Sequence, residues 1–419
     1  MRKKPCAAKT TAKIARPNRN RRHTENALPF LRLTLAISLI LLAADGFAQS
    51  VLIYPAPAEE VPTRVDGNSP TFWRDGAFHY ITSTGLPVIV QGEDQFQLIA
   101  PQYIAVDRLD HMPLWIESVW QDPDGTIYGW YHHEPGGICV GNNLTSPEIG
   151  AVVSRDGGMS FEDLGIILRS GDTVDCSSKN GFFAGGHGDF SVILNREQTY
   201  FYFFFTNYGG GVSGQGIVMA RLAFEDRKRP QGAVWKYFEG GWGEPGMTGK
   251  VTPIFPARTS WQQSDTDSFW GPAIHWNTYL EKYVILLNHA CCQPNWPQEG
   301  IYATFTADLS QPAQWTAPVR ILQEIGFGPG FYPQAIGLGA GETDTLVGQT
   351  ARLYIQGRSN WEIVFQKPAA VEPVQPMPEP PREPESLQGD DNGQQSARRR
   401  KVIEPLPGPP AVSRRGRVW

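Results

Sequence analysis

The stretch that decides the fold is Gly186-His187-Gly188-Asp189-Phe190-Ser191-Val192-Ile193-Leu194, followed after Asn195-Arg196-Glu197-Gln198 by Thr199-Tyr200-Phe201-Tyr202-Phe203-Phe204-Phe205-Thr206-Asn207. A lone carboxylate among small residues leads into an apolar strand. A polar turn follows, and the chain returns as a strand that is aromatic nearly throughout. This pattern predicts a β-hairpin whose returning strand is buried on both faces.

The same plan recurs on either side. Asn68-Ser69-Pro70 leads into Phe72-Trp73, a turn at Arg74-Asp75-Gly76 and a return through Phe78-His79-Tyr80-Ile81. His111-Met112-Pro113 leads into Trp115 to Trp120, turns at Asp122-Pro123-Asp124-Gly125 and returns as Ile127 to Tyr131. Trp270-Gly271-Pro272 leads into Ala273-Ile274-His275-Trp276 and returns as Tyr283 to Leu287. Tyr332-Pro333-Gln334-Ala335-Ile336 is partnered by Arg352 to Ile355. Several hairpins are followed by a second strand pair, as in Ile149 to Val153 with Gly165 to Leu168, and Ile301 to Phe305 with Val319 to Leu322. Five units of about four strands each predict an all-β chain: a five-bladed β-propeller of four-stranded antiparallel blades. A β-sandwich or two all-β domains would have similar strand content but would not need this repetition. Val51-Leu52-Ile53-Tyr54 is expected to complete the last blade.

Composition agrees: 13 Trp, 44 Gly and 35 Pro in 419 residues suit an aromatic β core with many turns. The net charge of −5 is unevenly spread. Residues 1–48 carry +8 and residues 367–419 carry +2, which leaves −15 on the body between them. An acidic body argues against a phosphate backbone as partner, since that contact needs Lys and Arg to displace counterions. It suits a neutral polar ligand or one handled by carboxylates.

Residues 1–48 read as a signal peptide. A basic start precedes the twelve-residue apolar run Leu33 to Ala44, and Gly46-Phe47-Ala48 offers small residues at a cleavage site. The run is short for a membrane-spanning helix, the alternative reading being an uncleaved anchor. The expected product is a secreted or periplasmic monomer, residues 49–366 forming the propeller, with no integral membrane domain. Residues 367–419 are Pro-rich and end basic, which predicts a disordered tail. Four Cys remain after cleavage; Cys139 is expected to pair with Cys176, while Cys291 and Cys292 are adjacent and open to a vicinal bridge, other pairing or reduction.

In a propeller the innermost strand of each blade starts at the central channel, so those starts converge although they are far apart in sequence. Their carboxylates make Asp189, Asp66, Glu117 and Asp267 the candidate catalytic residues, with Asp66 as base or nucleophile and Glu117 or Asp267 as acid. Asn68, His187, Trp270, His275, Tyr332 and Gln334 are the candidate substrate-binding residues. Carboxylates around an aromatic-lined opening are what glycosidic cleavage requires: one protonates the leaving oxygen, another acts as base or nucleophile, and rings stack on sugar faces. Each has a plainer reading as well, such as an Asx turn for Asp66 or a solvated loop for Ser264 to Ser268. His132-His133-Glu134 lacks the helical spacing of a zinc motif and reads as structural hydrogen bonding. No cofactor or resident metal is expected; a channel cation such as Ca2+, held by His187 or His275, is the one ion the layout suggests.

The blade starts and aromatic hairpins resemble the five-bladed propeller glycosidases: glycoside hydrolase family 43 and the related families 32 and 68. The resemblance covers Asp66 to Trp361. It implies that Asp189, in Gly188-Asp189-Phe190-Ser191-Val192, tunes the pKa of a catalytic acid. The family's base stands just before the position of Pro70, where this chain has Ser69, and its acid precedes Gly-Pro, where this chain has Trp270. The catalytic carboxylates are therefore either relocated to Asp66, Glu117 or Asp267, or hydrolysis has been lost and the propeller binds carbohydrate or a surface without cleaving. Ser154-x-Asp156-x-Gly158-x-Ser160-Phe161 also matches the Asp-box of sialidase-type propellers, a structural turn.

Overall fold

A computed structural model describes residues 50–323 and 330–368; the expected signal peptide and the expected disordered tail lie outside the described residues. The described chain forms five small, mainly antiparallel sheets, the blades of a five-bladed β-propeller. Their innermost strands are Thr71–Arg74, Leu114–Gln121, His187–Leu194, Asp267–Asn277 and Pro333–Gly337. Ser50–Glu60 pairs antiparallel with Arg358–Gln366, so the first strand completes the fifth blade and closes the ring. Two connections add short parallel strands to blades two and four: Ala105–Val106 against Ser160–Phe161 and Leu346–Val347 against Trp276–Asn277.

The aromatic strand Tyr200–Asn207 shows why both of its faces are apolar. Phe201, Phe203 and Phe205 pack toward Tyr128, Trp130 and Val153 of blade two. Tyr202 and Phe204 pack toward Ile274, Tyr283 and Ile285 of blade four. Three further clusters fill the seams between blades one and two, four and five, and five and one. Each seam is a dry sheet-on-sheet contact, and burial of a Phe or Ile side chain there stabilises the ring by roughly 1.5–3 kcal/mol.

Innermost strands have no backbone partner on the channel side, so their N–H groups need side-chain acceptors. The blades supply them to one another. Ser118 Oγ accepts from Val192 N–H at 2.9 Å, and Ser191 Oγ accepts from Ile274 N–H at 3.1 Å. Thr206 Oγ1 accepts from Gly271 N–H at 3.1 Å. Gln334 clasps blade one to blade five, accepting from Ser69 N–H at 2.9 Å and donating to Ser69 O at 3.2 Å. The Asn68 amide donates to Phe190 O at 2.7 Å and to Pro272 O at 2.8 Å, tying blade one to blades three and four.

The Asp-box is a turn, as its residues predict. Asp156 accepts from Ser160 N–H and both Ser hydroxyls, and Ser154 Oγ accepts from Gly158 N–H. Disulfides join Cys139 to Cys176 and Cys291 to Cys292.

Asn68→Ala should strand two buried carbonyls. The expected cost is about 2–4 kcal/mol, read as a lower urea midpoint at unchanged slope. An unchanged midpoint would show that the clasp is not structural.

Candidate functional site

The site is built by irregularities in the innermost strands. Blade two shifts register between Ile116 and Ser118, and blade three between Gly188 and Phe190. The residues at these bulges are Glu117 and Asp189. A bulge re-aims its extra side chain out of the sheet alternation, and here both carboxyls turn toward one point. Asp189 sits at φ 43°, a left-handed conformation that Asp tolerates better than most residues. Blade four shifts register at the corresponding place, between Trp270 and Ala273, and Tyr332 just before the blade-five strand has φ 57°.

His132 lies between the two carboxylates. Ligand atoms of Glu117, His132 and Asp189 lie within 4.8 Å of one another, and all three residues are buried. His132 Nδ1 is 3.4 Å from Glu117 Oε1 and 3.2 Å from Asp189 N; its Nε2 is 3.4 Å from Glu134 Oε1. Glu117 Oε2 accepts from Phe190 N–H at 2.8 Å. Asp189 accepts hydrogen bonds from both the Tyr208 and Tyr332 hydroxyls, the latter at 3.0 Å.

Electrostatics follow from burying this much charge. Burial pushes Glu117 up to about 7, with Asp189 adding and His132 and Phe190 N–H opposing. Burial also raises Asp189, against the lowering effect of His132 and the two tyrosines. For His132 burial favours the neutral ring, but Glu117 and Glu134 outweigh it and hold the imidazole well above its usual value. The cluster therefore keeps protons that the unfolded chain would release.

Above the cluster the site opens. Asp66 is exposed and lines a cleft of about 1140 Å³ with Glu60, Arg64, Thr84, Asn360 and Trp361. Crowding around its carboxyl raises its pKa first; the Asp189 and Glu134 charges add, while His132 and the Trp115 indole oppose. Glu134, half-buried, is the second reachable carboxylate. One wall is aromatic: Phe183, Tyr208, Trp261, Trp270 and Trp296 are buried together, with Tyr332 5.6 Å from Trp270 between ring centroids. Phe182, half exposed, packs on Trp296 at 4.9 Å.

The structure thus brings together Asp66, Glu117, Asp189 and Tyr332, with Trp270 in the adjoining wall. Asn68 and Gln334 are near, but their side chains are spent on the blade clasps. His275 is buried beside Asn68, Glu117 and Gln334 in a small channel cavity, and burial pushes it down to about 3. His187 lines a different cleft, with Asp172 and the Gly209 to Gly214 loop. Asp267 is engaged elsewhere, 3.0 Å from His289 Nε2. Sequence reading missed His132, Glu134 and Tyr208. His132 and Glu134 read from sequence as structural hydrogen bonding; the signal for all three was position, each standing at the end of a second blade strand, level with the start of the first.

In the Glu117–His132–Asp189 cluster, Glu117 Oε2 and both Asp189 oxygens accept protein hydrogen bonds; a channel cation would turn to atoms without such partners. His275 Nε2 and Asn68 Oδ1, which line the small channel cavity without partners among the described residues, are the atoms that would hold one.

No family model matches the sequence, and no curated protein matches it. Solved structures similar in arrangement include a thermostable family-43 glycoside hydrolase (10% identity, TM-score 0.46, covering 78% of this chain and 98% of that one). The endo-arabinase from Bacteroides thetaiotaomicron VPI-5482 is 13% identical, with a TM-score of 0.44 over 75% of this chain and 97% of its own. The alpha-L-arabinofuranosidase from Lactobacillus brevis is 12% identical, with a TM-score of 0.47 over 75% and 97%. Among the described residues no helix is long and apolar enough to cross a membrane.

Glu117 supplies a test of the cluster. Its folded pKa lies above the unfolded value, so the folded state binds a proton that the unfolded chain loses, and stability falls as pH rises from about 4.5 toward 7. Glu117→Gln should remove that slope and gain about 1–3 kcal/mol at neutral pH relative to the parent. Urea unfolding at pH 5 and pH 7.5 measures it; parallel pH dependences for the two proteins would contradict the assignment.

Proposed function

We propose that this propeller is an exported glycoside hydrolase acting on a poly- or oligosaccharide at the channel mouth. The observation that carries the reading is the pairing of two reachable carboxylates, Asp66 and Glu134, above a buried cluster that holds protons. The crowding of its carboxyl and the like charges of Asp189 and Glu134 raise Asp66, the direction a general acid needs. Glu134, half-buried with its Oε1 3.4 Å from His132 Nε2, serves as base or nucleophile. The acid protonates the glycosidic oxygen as the bond to the anomeric carbon breaks; Glu134 either attacks that carbon or takes a proton from attacking water. Asp189 acts on Asp66 through its charge, and Glu117 and His132 position it. Trp361, Trp115 and Phe182 offer ring faces for sugars. The acidic body favours a carbohydrate partner over nucleic acid, and a monomer suffices, since every group named belongs to one chain.

A second reading rests on Trp270. It fills the blade-four position where the resemblance calls for an acid, and it is packed into the aromatic wall. On that reading the propeller binds a glycan without cleaving it.

Release of reducing ends from plant, algal and bacterial polysaccharides separates the two. The protein from residue 49 should release sugar, and Asp66→Asn should lower the rate by roughly 10²–10⁴-fold while retaining glycan binding. Binding without release from any glycan would leave the second reading standing.

A further inference from the structure

A second cluster lies in blade four, outside the channel site. Asp267 on the innermost strand faces Cys291 across the ladder, and His289 stands two residues before Cys291 on the same face. Ligand atoms of Asp267, His289 and Cys291 lie within 4.8 Å of one another. His289 is buried, and both its ring nitrogens meet carboxylates: Nδ1 is 2.6 Å from Glu299 Oε2 and Nε2 is 3.0 Å from Asp267 Oδ1. Glu299 is itself fixed by the Tyr302 hydroxyl at 2.7 Å and by Arg320 at 2.6 Å.

A neutral imidazole carries one N–H. With that hydrogen on Nδ1, donated to the anchored Glu299, the Nε2 lone pair faces the Asp267 carboxylate at a distance that only an intervening cation makes favourable. That cation is either a second proton on the ring or a metal ion. Histidine ligands to zinc are characteristically oriented by a carboxylate on the other nitrogen, which is the place Glu299 occupies. The third donor is Cys291 Sγ, and it is capped in the structure by its bond to Cys292.

We propose that Asp267, His289 and Cys291 form a redox-gated site for a borderline divalent ion of the zinc type, closed to metal while the Cys291–Cys292 bond is intact and opened by its reduction. A dithiol reductant cleaves the Sγ–Sγ bond by two successive thiol–disulfide exchanges. It is itself oxidised to a disulfide, and its two hydrogens pass to Cys291 and Cys292. On metal binding the Cys291 thiol gives its proton to solvent, and thiolate, imidazole Nε2 and carboxylate supply three ligands. The fourth tetrahedral position is left for water or a second donor. Arg258, 4.0 Å from Asp267 and largely exposed, is free to swing away. Asp267 thereby has a role separate from the channel carboxylates.

Zn2+ and Co2+ are the probes, added separately to the protein from residue 49. After reduction by a dithiol and its removal without air, one Co2+ per chain should produce intense visible absorbance and a sulfur-to-cobalt band in the near ultraviolet. Zn2+ should displace it. Cys291→Ser, reduced in the same way so that Cys139 and Cys176 are also free, should lose the sulfur band and bind about a hundredfold more weakly, as should His289→Ala. Glu299→Gln, a milder change, should weaken binding by about 10–100-fold with the sulfur band retained, and it decides the matter if His289→Ala does not fold. Absence of binding to the reduced protein, equal binding to the oxidised protein, or a band that survives Cys291→Ser would each overturn the proposal.

Discussion

Glu117 and Asp189 are carboxyls placed where water hardly reaches, and the rest of the site follows from that placement. A buried carboxylate is tolerated only when hydrogen bonds or opposite charge compensate it. Here the compensation comes from three blades, and the segment leading to blade one packs close against Glu117. Blade two provides His132, blade three provides Phe190 N–H and Tyr208, the approach to blade five provides Tyr332, and the approach to blade one brings Gly67 against Glu117. A Cβ at Gly67 would stand 3.1 Å from Glu117 Oε1, at a φ of 149° that side chains rarely adopt, so the close approach depends on glycine.

The same constraint explains the channel. Innermost strands offer unpaired N–H groups that cannot be left dry. Ser118, Ser191 and Thr206 answer them one blade at a time, Asn68 caps carbonyls from two blades, and Gln334 joins the last blade to the first. Glu117 is a member of this set that also carries charge. The chemistry of the site is thus an extension of the polar stitching that holds the ring closed, and the apolar seams outside it give the stitching a rigid frame.

Much of the fold was legible because it is local. Each hairpin shows period-two or all-apolar patterning between turn residues, and all five predicted hairpins occur at their expected places. Completion of blade five by Val51 to Tyr54 followed from the ring's need for a partner strand. Asp189 was legible because glycines mark its bulge. Glu117 was harder, since Ile116-Glu117-Ser118-Val119 has no glycine or proline to betray the register shift. His132 and Tyr208 were not legible as site residues. Their roles arise from contacts with residues 57 and 19 positions away across a bulge that the sequence does not announce. Asp267 was placed with the channel carboxylates because it starts an innermost strand, but its side chain points along the face that carries His289, a choice fixed by strand alternation and not by its position at the start.

The most direct test of this account is a carboxyl-carbon NMR titration of the folded protein carrying labelled glutamate, with the Glu117 resonance assigned by its loss in Glu117→Gln. The account predicts a midpoint near 7 for Glu117, with the resonance shifting again as His132 loses its proton at higher pH. A single ordinary titration near 4.5 would show that the carboxyl is solvated and that the buried proton-holding cluster does not exist.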